Sequence, residues 1–141
     1  MHHYDYVVVG AGSAGSALAN RLSESGKFTV CLLEAGGSDK KFWVQMPLGY
    51  GKVFHDPSVN WRYMTEPEPN LDNQSIYWPR GKVLGGSSSI NAMVWVRGHK
   101  RDYDEWNSVA PGWGWNNVQK IFNRIENWDG TSNISRGTNG P

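Results

Sequence analysis

Gly10-Ala11-Gly12-Ser13-Ala14-Gly15 follows directly on the β-branched run Tyr6-Val7-Val8-Val9 and opens a stretch with Ala14, Leu18, Ala19 and Leu22 at helical spacing. A lone G-x-G-x-x-G pattern says little, but between a strand and a helix it prescribes a tight turn. Gly10 permits the turn, Gly12 lets backbone approach a pyrophosphate, and Gly15 lets helix and strand pack closely. The helix, expected from Ser13 to about Ser25, is stopped by Gly26. Thr29-Val30-Cys31-Leu32-Leu33-Glu34 then reads as a second strand. Both strands carry the near-continuous apolar character of strands buried on both faces. Residues 6–34 are thus expected to form a parallel β-α-β crossover.

Glu34 ends the second strand nineteen positions past Gly15. An acid there accepts hydrogen bonds from adenosine ribose hydroxyls and repels a 2′-phosphate, which disfavours NADP and leaves FAD and NAD open. Unpaired N–H groups and a partial positive charge at the helix N-terminus favour phosphate oxygens.

The remaining chain is less regular. Residues 35–60 carry Gly36, Gly37, Pro47, Gly49, Gly51 and Pro57 and predict irregular backbone. Asn60 to Thr65 alternates as a strand does, Glu66-Pro67-Glu68-Pro69 breaks it, and Ile76-Tyr77-Trp78 suits another short strand. A Gly/Ser-rich loop spans 80–89. Helices are expected from Asp102 to about Ser108 and from Asn116 to Trp128, the latter with Val118, Ile121, Phe122 and Ile125 on one face. Residues 131–141 are polar and turn-rich.

The 141 residues suit one domain. A net charge of +1, from 14 basic and 13 acidic residues, gives no reason to expect nucleic acid as a partner. No apolar run approaches the roughly 20 residues of a membrane helix, and no basic segment precedes an apolar one at the N-terminus. A cytoplasmic location is expected, with peripheral membrane attachment left open. The single Cys31, mid-strand, reads as a buried inert thiol. His2, His3, His55 and His99 lack metal-ligand spacing, so no metal is expected. Arg97, Lys100 and Arg101 read as a solvated helix start, and Trp113 and Trp115 as packing groups.

Gly81-Lys82-Val83-Leu84-Gly85-Gly86-Ser87-Ser88-Ser89-Ile90-Asn91 is the second motif. On its own such a loop offers N–H groups and hydroxyls to an anion, or is a bare surface loop. Together with the first motif, and with aromatic, small and polar positions continuing through Trp95, Gly98 and Asp104, it resembles the first signature of the glucose–methanol–choline oxidoreductases. The likeness runs from Tyr4 to about Gly130. Leu33 to Gly37, Asn60-Trp61 and Thr65-Glu66-Pro67 resemble the bacterial choline and alcohol dehydrogenase branch.

The resemblance implies an α/β fold: a Rossmann-like FAD-binding domain on a doubly wound parallel sheet, incomplete in this chain. The expected FAD-binding residues include Gly10, Gly12, Ser13, Ala14, Gly15, Glu34 and Ala35, with Ser13 and Ala14 meeting the pyrophosphate and Glu34 the ribose. Val83, Gly86 and Ser87 line the flavin's approach, and Asn91, Ala92, Met93 and Val94 pass beside the isoalloxazine ring. Some relatives attach FAD covalently through a His where this chain has Ile90, so non-covalent FAD is expected. The implied reaction is oxidation of an alcohol, choline-like or primary, to a carbonyl by hydride transfer to flavin. The acceptor is left open between oxygen, a quinone and a dye. The family's catalytic His lies near the carboxyl end of longer relatives, so no catalytic residue is expected here. Residues 1–141 then represent the amino-terminal part of an FAD-binding domain, without the substrate domain and inactive alone. A cyanohydrin lyase on the same scaffold, an NAD enzyme and a flavin-binding module without activity remain alternatives.

Overall fold

The computed structural model describes residues 2–130 and 135–141. The expected turn-rich tail is therefore described only from Ser135 onward. The chain divides into two compact units, Met1–Val94 and Trp95–Pro141.

The first unit opens with β1 (Tyr6–Val9), α1 (Ser13–Ser23) and β2 (Val30–Leu33). β1 and β2 pair in parallel, Tyr6 opposite Val30 and Val9 opposite Leu33. The helix stops as its sequence dictates: the Gly26 N–H donates to the Ser23 carbonyl at 2.9 Å, with Gly26 at φ +67°. The β-α-β start of a Rossmann-like sheet is thus present, and among the described residues this sheet has two strands.

Burial departs from expectation for a matching reason. Val8 is buried, but Val7 and Val9 are 59% and 83% exposed, and α1 buries no residue. Cys31 is half-buried rather than buried. Two strands and one helix leave most of the sheet uncovered, so side chains patterned for a two-sided core face outward.

Residues 35–60 are more ordered than their glycines and prolines suggest. Short helical turns form at α2 (Phe42–Gln45), Pro47–Gly49 and α3 (Tyr50–Val53). They cover a small core of Val53, Val59, Val83 and Ile90, each at most 3% exposed. Beyond it, β3 (Tyr63–Met64) pairs antiparallel with β4 (Tyr77–Trp78). Asn60, 2% exposed, holds this region together. Its Nδ2 donates to the Phe54 carbonyl at 2.7 Å and to the Tyr77 hydroxyl at 3.2 Å. Its Oδ1 accepts from the Arg62 and Arg80 N–H groups, each at 2.9 Å. A buried amide using both ends in this way is an asset rather than a liability.

The second unit is built on α4 (Lys100–Asn107) and α5 (Trp115–Ile125). α4 starts two residues earlier than expected because His99 and Asp102 form a reciprocal capping box. α5 ends three residues earlier than expected, in extended backbone at Glu126. Tyr103 on α4 packs against Trp115 and Phe122 on α5, with ring centroids 5.6 and 6.1 Å apart, and Trp113 packs on Trp106. The tryptophan pair is therefore packing, as read.

Arg97 corrects the reading of a solvated basic run. Its side chain is 12% exposed and its Nη2 donates to Glu126 Oε2 at 2.5 Å, while Arg136 Nη1 donates to Glu126 Oε1 at 2.5 Å. Lys100 and Arg101 are exposed, as expected. Burial alone would raise the Glu126 carboxyl. The Gly137 N–H, the Arg136 hydrogen bond and the charges of Arg97 and Arg136 outweigh it and hold that carboxyl below the ordinary carboxylate value.

Candidate functional site

Two glycine loops meet in the first unit. The Gly85 N–H donates to the Ala11 carbonyl at 2.8 Å, and Gly12 and Gly85 form a parallel bridge. On the other side of the second loop, the Leu84 N–H donates to the Gly37 carbonyl at 2.9 Å, and Gly37 bridges Val83. The Gly/Ser segment therefore lies between the turn after β1 and the segment after β2, bonded to both.

Side chains are excluded where these backbones touch. A Cβ on Gly86 (φ +59°) would lie 2.8 Å from Gly12 Cα. A Cβ on Gly15 would lie 1.9 Å from the Gly10 carbonyl oxygen, so helix and strand approach through glycine as the fingerprint requires.

Glu34 joins the same construction. Its Oε2 accepts from the Ala11 N–H at 2.8 Å and its Oε1 from the Gly36 N–H at 2.9 Å. Each carboxylate oxygen keeps a further lone-pair direction for a ligand hydroxyl. The acid thus braces the first loop against the segment after β2, a task that its spacing alone does not reveal.

A groove of about 530 Å³ opens beside these contacts, lined by Val9, Gly10, Gly12, Leu33, Glu34, Ala35, Trp61, Gly81 and Gly86. Five residues expected at the site, Gly10, Gly12, Glu34, Ala35 and Gly86, come together here. Ser13 and Ala14 are exposed in the first turn of α1, where their N–H groups and that of Gly15 have no acceptor within the helix. Gly15 sits behind the turn as a packing residue.

The other expected residues lie elsewhere. The Val83 side chain is fully buried in the core, so it offers main chain rather than a lining side chain. The Ser87 hydroxyl accepts from the Gly81 N–H at 3.0 Å. Asn91 and Met93 line a separate cavity of about 130 Å³ with Trp43, Tyr50, Ser89 and Ile90. Met93 holds φ +57°, a left-handed conformation costing a non-glycine residue about 1–2 kcal/mol. Its N–H donates to Asn91 Oδ1 at 2.8 Å. Ala92 and Val94 are exposed. Trp61 and Gly81 are groove residues that the sequence reading quoted within motifs but did not place at the site.

The groove suits a dinucleotide: glycine backbone and a helix N-terminus for phosphates, a carboxylate for ribose, apolar walls for rings. No histidine is among the groove residues. Instead, His55 stacks on Tyr77 with ring centroids 5.5 Å apart, and His99 caps α4. Among the described residues, no group of three metal-ligating side chains occurs, and no helix is long and apolar enough to cross a membrane.

Comparison with known proteins agrees. The GMC oxidoreductase profile matches residues 4–139. An oxygen-dependent choline dehydrogenase of Vibrio vulnificus is 51% identical over 140 residues, covering 99% of this chain and 25% of the relative. An uncharacterized GMC-type oxidoreductase of Mycobacterium bovis is 51% identical over 142 residues, covering 97% of this chain and 27% of the relative. Among solved structures, pyridoxine 4-oxidase from Mesorbium loti superposes with a TM-score of 0.81 at 34% identity, covering 98% of this chain and 27% of that one. A formate oxidase of Aspergillus oryzae, studied for its FAD modification, superposes with a TM-score of 0.80 at 29% identity, covering 99% and 26%. The chain spans about a quarter of the length of the curated relatives it matches.

Proposed function

The chain belongs to the GMC oxidoreductase family, and from that premise we propose that it forms the amino-terminal, FAD-binding portion of an enzyme oxidising an alcohol to a carbonyl. The observation that carries this reading is the meeting of both glycine loops and Glu34 on one groove. The N–H groups of Ser13, Ala14 and Gly15 receive the pyrophosphate, and Glu34 and Ala35 hold the ribose. Gly86 lets the second loop close against the first, with Val83 and Ser87 shaping it, and Asn91 to Val94 carry the flavin side.

Bound FAD supplies the hydride acceptor. The chain's own residues bind and orient it, and the base that takes the hydroxyl proton is contributed by sequence beyond this portion. The substrate is a choline-like or primary alcohol, in keeping with the choline dehydrogenase relatives. The location is cytoplasmic. Ile90, 3% exposed within the apolar core, has no group to bond the flavin, which supports dissociable FAD.

The test uses the complete protein. Acid precipitation is expected to leave the yellow colour in the supernatant, and choline or a primary alcohol added without oxygen is expected to bleach the flavin band. A yellow pellet overturns the dissociable cofactor. A flavin that no alcohol reduces overturns the proposed reaction.

A further inference from the structure

We propose that Glu126 is a clasp that closes the neck of the second unit, one carboxylate tying the segment that enters the unit to the segment that follows α5. Arg97, near the start of the unit, reaches it from one side, its Nη2 donating to Glu126 Oε2 at 2.5 Å. Arg136 reaches it from the other, its Nη1 donating to Oε1 at 2.5 Å, and the adjacent Gly137 N–H donates to Oε2 at 3.0 Å. Arg97 is also bonded directly to the far segment. Its Nη1 donates to the Ser135 carbonyl at 2.5 Å and to Asn123 Oδ1 of α5 at 3.1 Å. Its own carbonyl accepts from the Tyr103 hydroxyl of α4.

Residues 136–140 lie as a strap along the end of α5. The Trp128 N–H donates to the Gly137 carbonyl at 2.8 Å, the Gly140 N–H donates to the Glu126 carbonyl at 3.0 Å, and Asn127 and Thr138 form an antiparallel bridge. Glycine permits the approach: a Cβ on Gly137 would stand 1.7 Å from the Asn123 carbonyl oxygen, and one on Gly140 would stand 2.6 Å from that of Glu126. Gly137, Thr138, Asn139 and Gly140 bury little apolar surface, so hydrogen bonds and the ion cluster hold the strap. Within that cluster the Glu126 side chain is 10% exposed and stands between two guanidiniums. Neutralising it leaves two like charges facing each other, whereas losing Arg136 leaves a balanced Arg97–Glu126 pair. The resistance to opening therefore resides in the carboxylate.

The experiment is hydrogen–deuterium exchange read by mass spectrometry on the complete protein, comparing the parent with E126Q, R136Q and the double variant. The amides of Gly137 to Gly140 report the strap, and those of α4 report the rest of the unit. E126Q is expected to speed strap exchange on the order of a hundredfold and R136Q about tenfold, with α4 unchanged in both. Adding R136Q to E126Q is expected to slow the strap again, because it removes one of the two facing charges. Strap exchange in E126Q at the parent rate overturns the proposal. So does equal acceleration in the strap and α4, because Glu126 then supports the whole unit, and so does a double variant faster than E126Q. If E126Q does not fold, R136Q decides: a faster strap beside an unchanged α4 supports the clasp, and a strap at the parent rate overturns it.

Discussion

Replacing Gly86 with valine is expected to reduce FAD affinity by roughly a hundredfold or more, to the point where desalting strips the flavin from the complete protein. Two costs add at this position. Gly86 has φ +59°, a region that a β-branched residue scarcely enters. Its Cβ would stand 2.8 Å from Gly12 Cα, and neither the cost nor the contact can be relieved by a rotamer change because the obstructing atom is backbone. Left-handed strain of about 1–2 kcal/mol and overpacking of about 1–3 kcal/mol together correspond to that factor. The loops separate where the pyrophosphate needs them closed. The control is G51A: Gly51 has open space where a Cβ would be, so its FAD affinity should stay within about twofold of the parent. Fluorescence titration of both apoproteins with FAD reads the difference, and a G86V protein that keeps its flavin through desalting would show that the loops need not touch.

Glu34→Gln should be nearly as damaging, although the side chains are isosteric. Both carboxylate oxygens accept main-chain N–H groups, from Ala11 on one side and Gly36 on the other. A glutamine has one oxygen to offer and must point its amide N–H₂ at the second donor. Ala11 is 1% exposed, so no water replaces the lost acceptor if that side is the one abandoned. A lost hydrogen bond to a charged group is worth about 1.5–3 kcal/mol, which predicts an affinity for FAD lower by roughly ten- to a hundredfold. E34Q should also melt at a lower temperature without flavin, because the brace between loops acts in the absence of ligand. Equal melting temperatures for parent and E34Q apoproteins would confine Glu34 to the ribose.

What sequence made legible here was what local chemistry determines. Tyr6 to Val9, the three glycines, Gly26 and Glu34 announce a β-α-β unit because each residue acts on its immediate neighbours. The strands' expected burial fails for Val7 and Val9 because it depends on layers that these two strands and one helix do not supply. Arg97 looked like part of an exposed basic run. Only the fold brings it to Glu126, 29 positions away, and no local signal carries that pairing. Val83 sits inside a motif associated with a ligand, yet its side chain serves the core while its backbone serves the loop. The short α2 and α3 were hidden by Gly49, Gly51 and Pro47, which mark breaks between helical turns rather than absence of helix. Asn60 and Trp61 lay in plain sight as neighbours. Their division of labour, one buried and fully bonded, the other half-exposed on the groove, is a property of the fold that residue type alone does not reveal.

A crystal structure of the complete protein loaded with FAD would show whether the two glycine loops and Glu34 build one dinucleotide groove. The pyrophosphate is expected between Gly10 to Gly15 and Gly86, and the adenosine ribose on Glu34. FAD bound with its pyrophosphate away from Gly12 and Gly86, or with Glu34 touching no ribose hydroxyl, would contradict it.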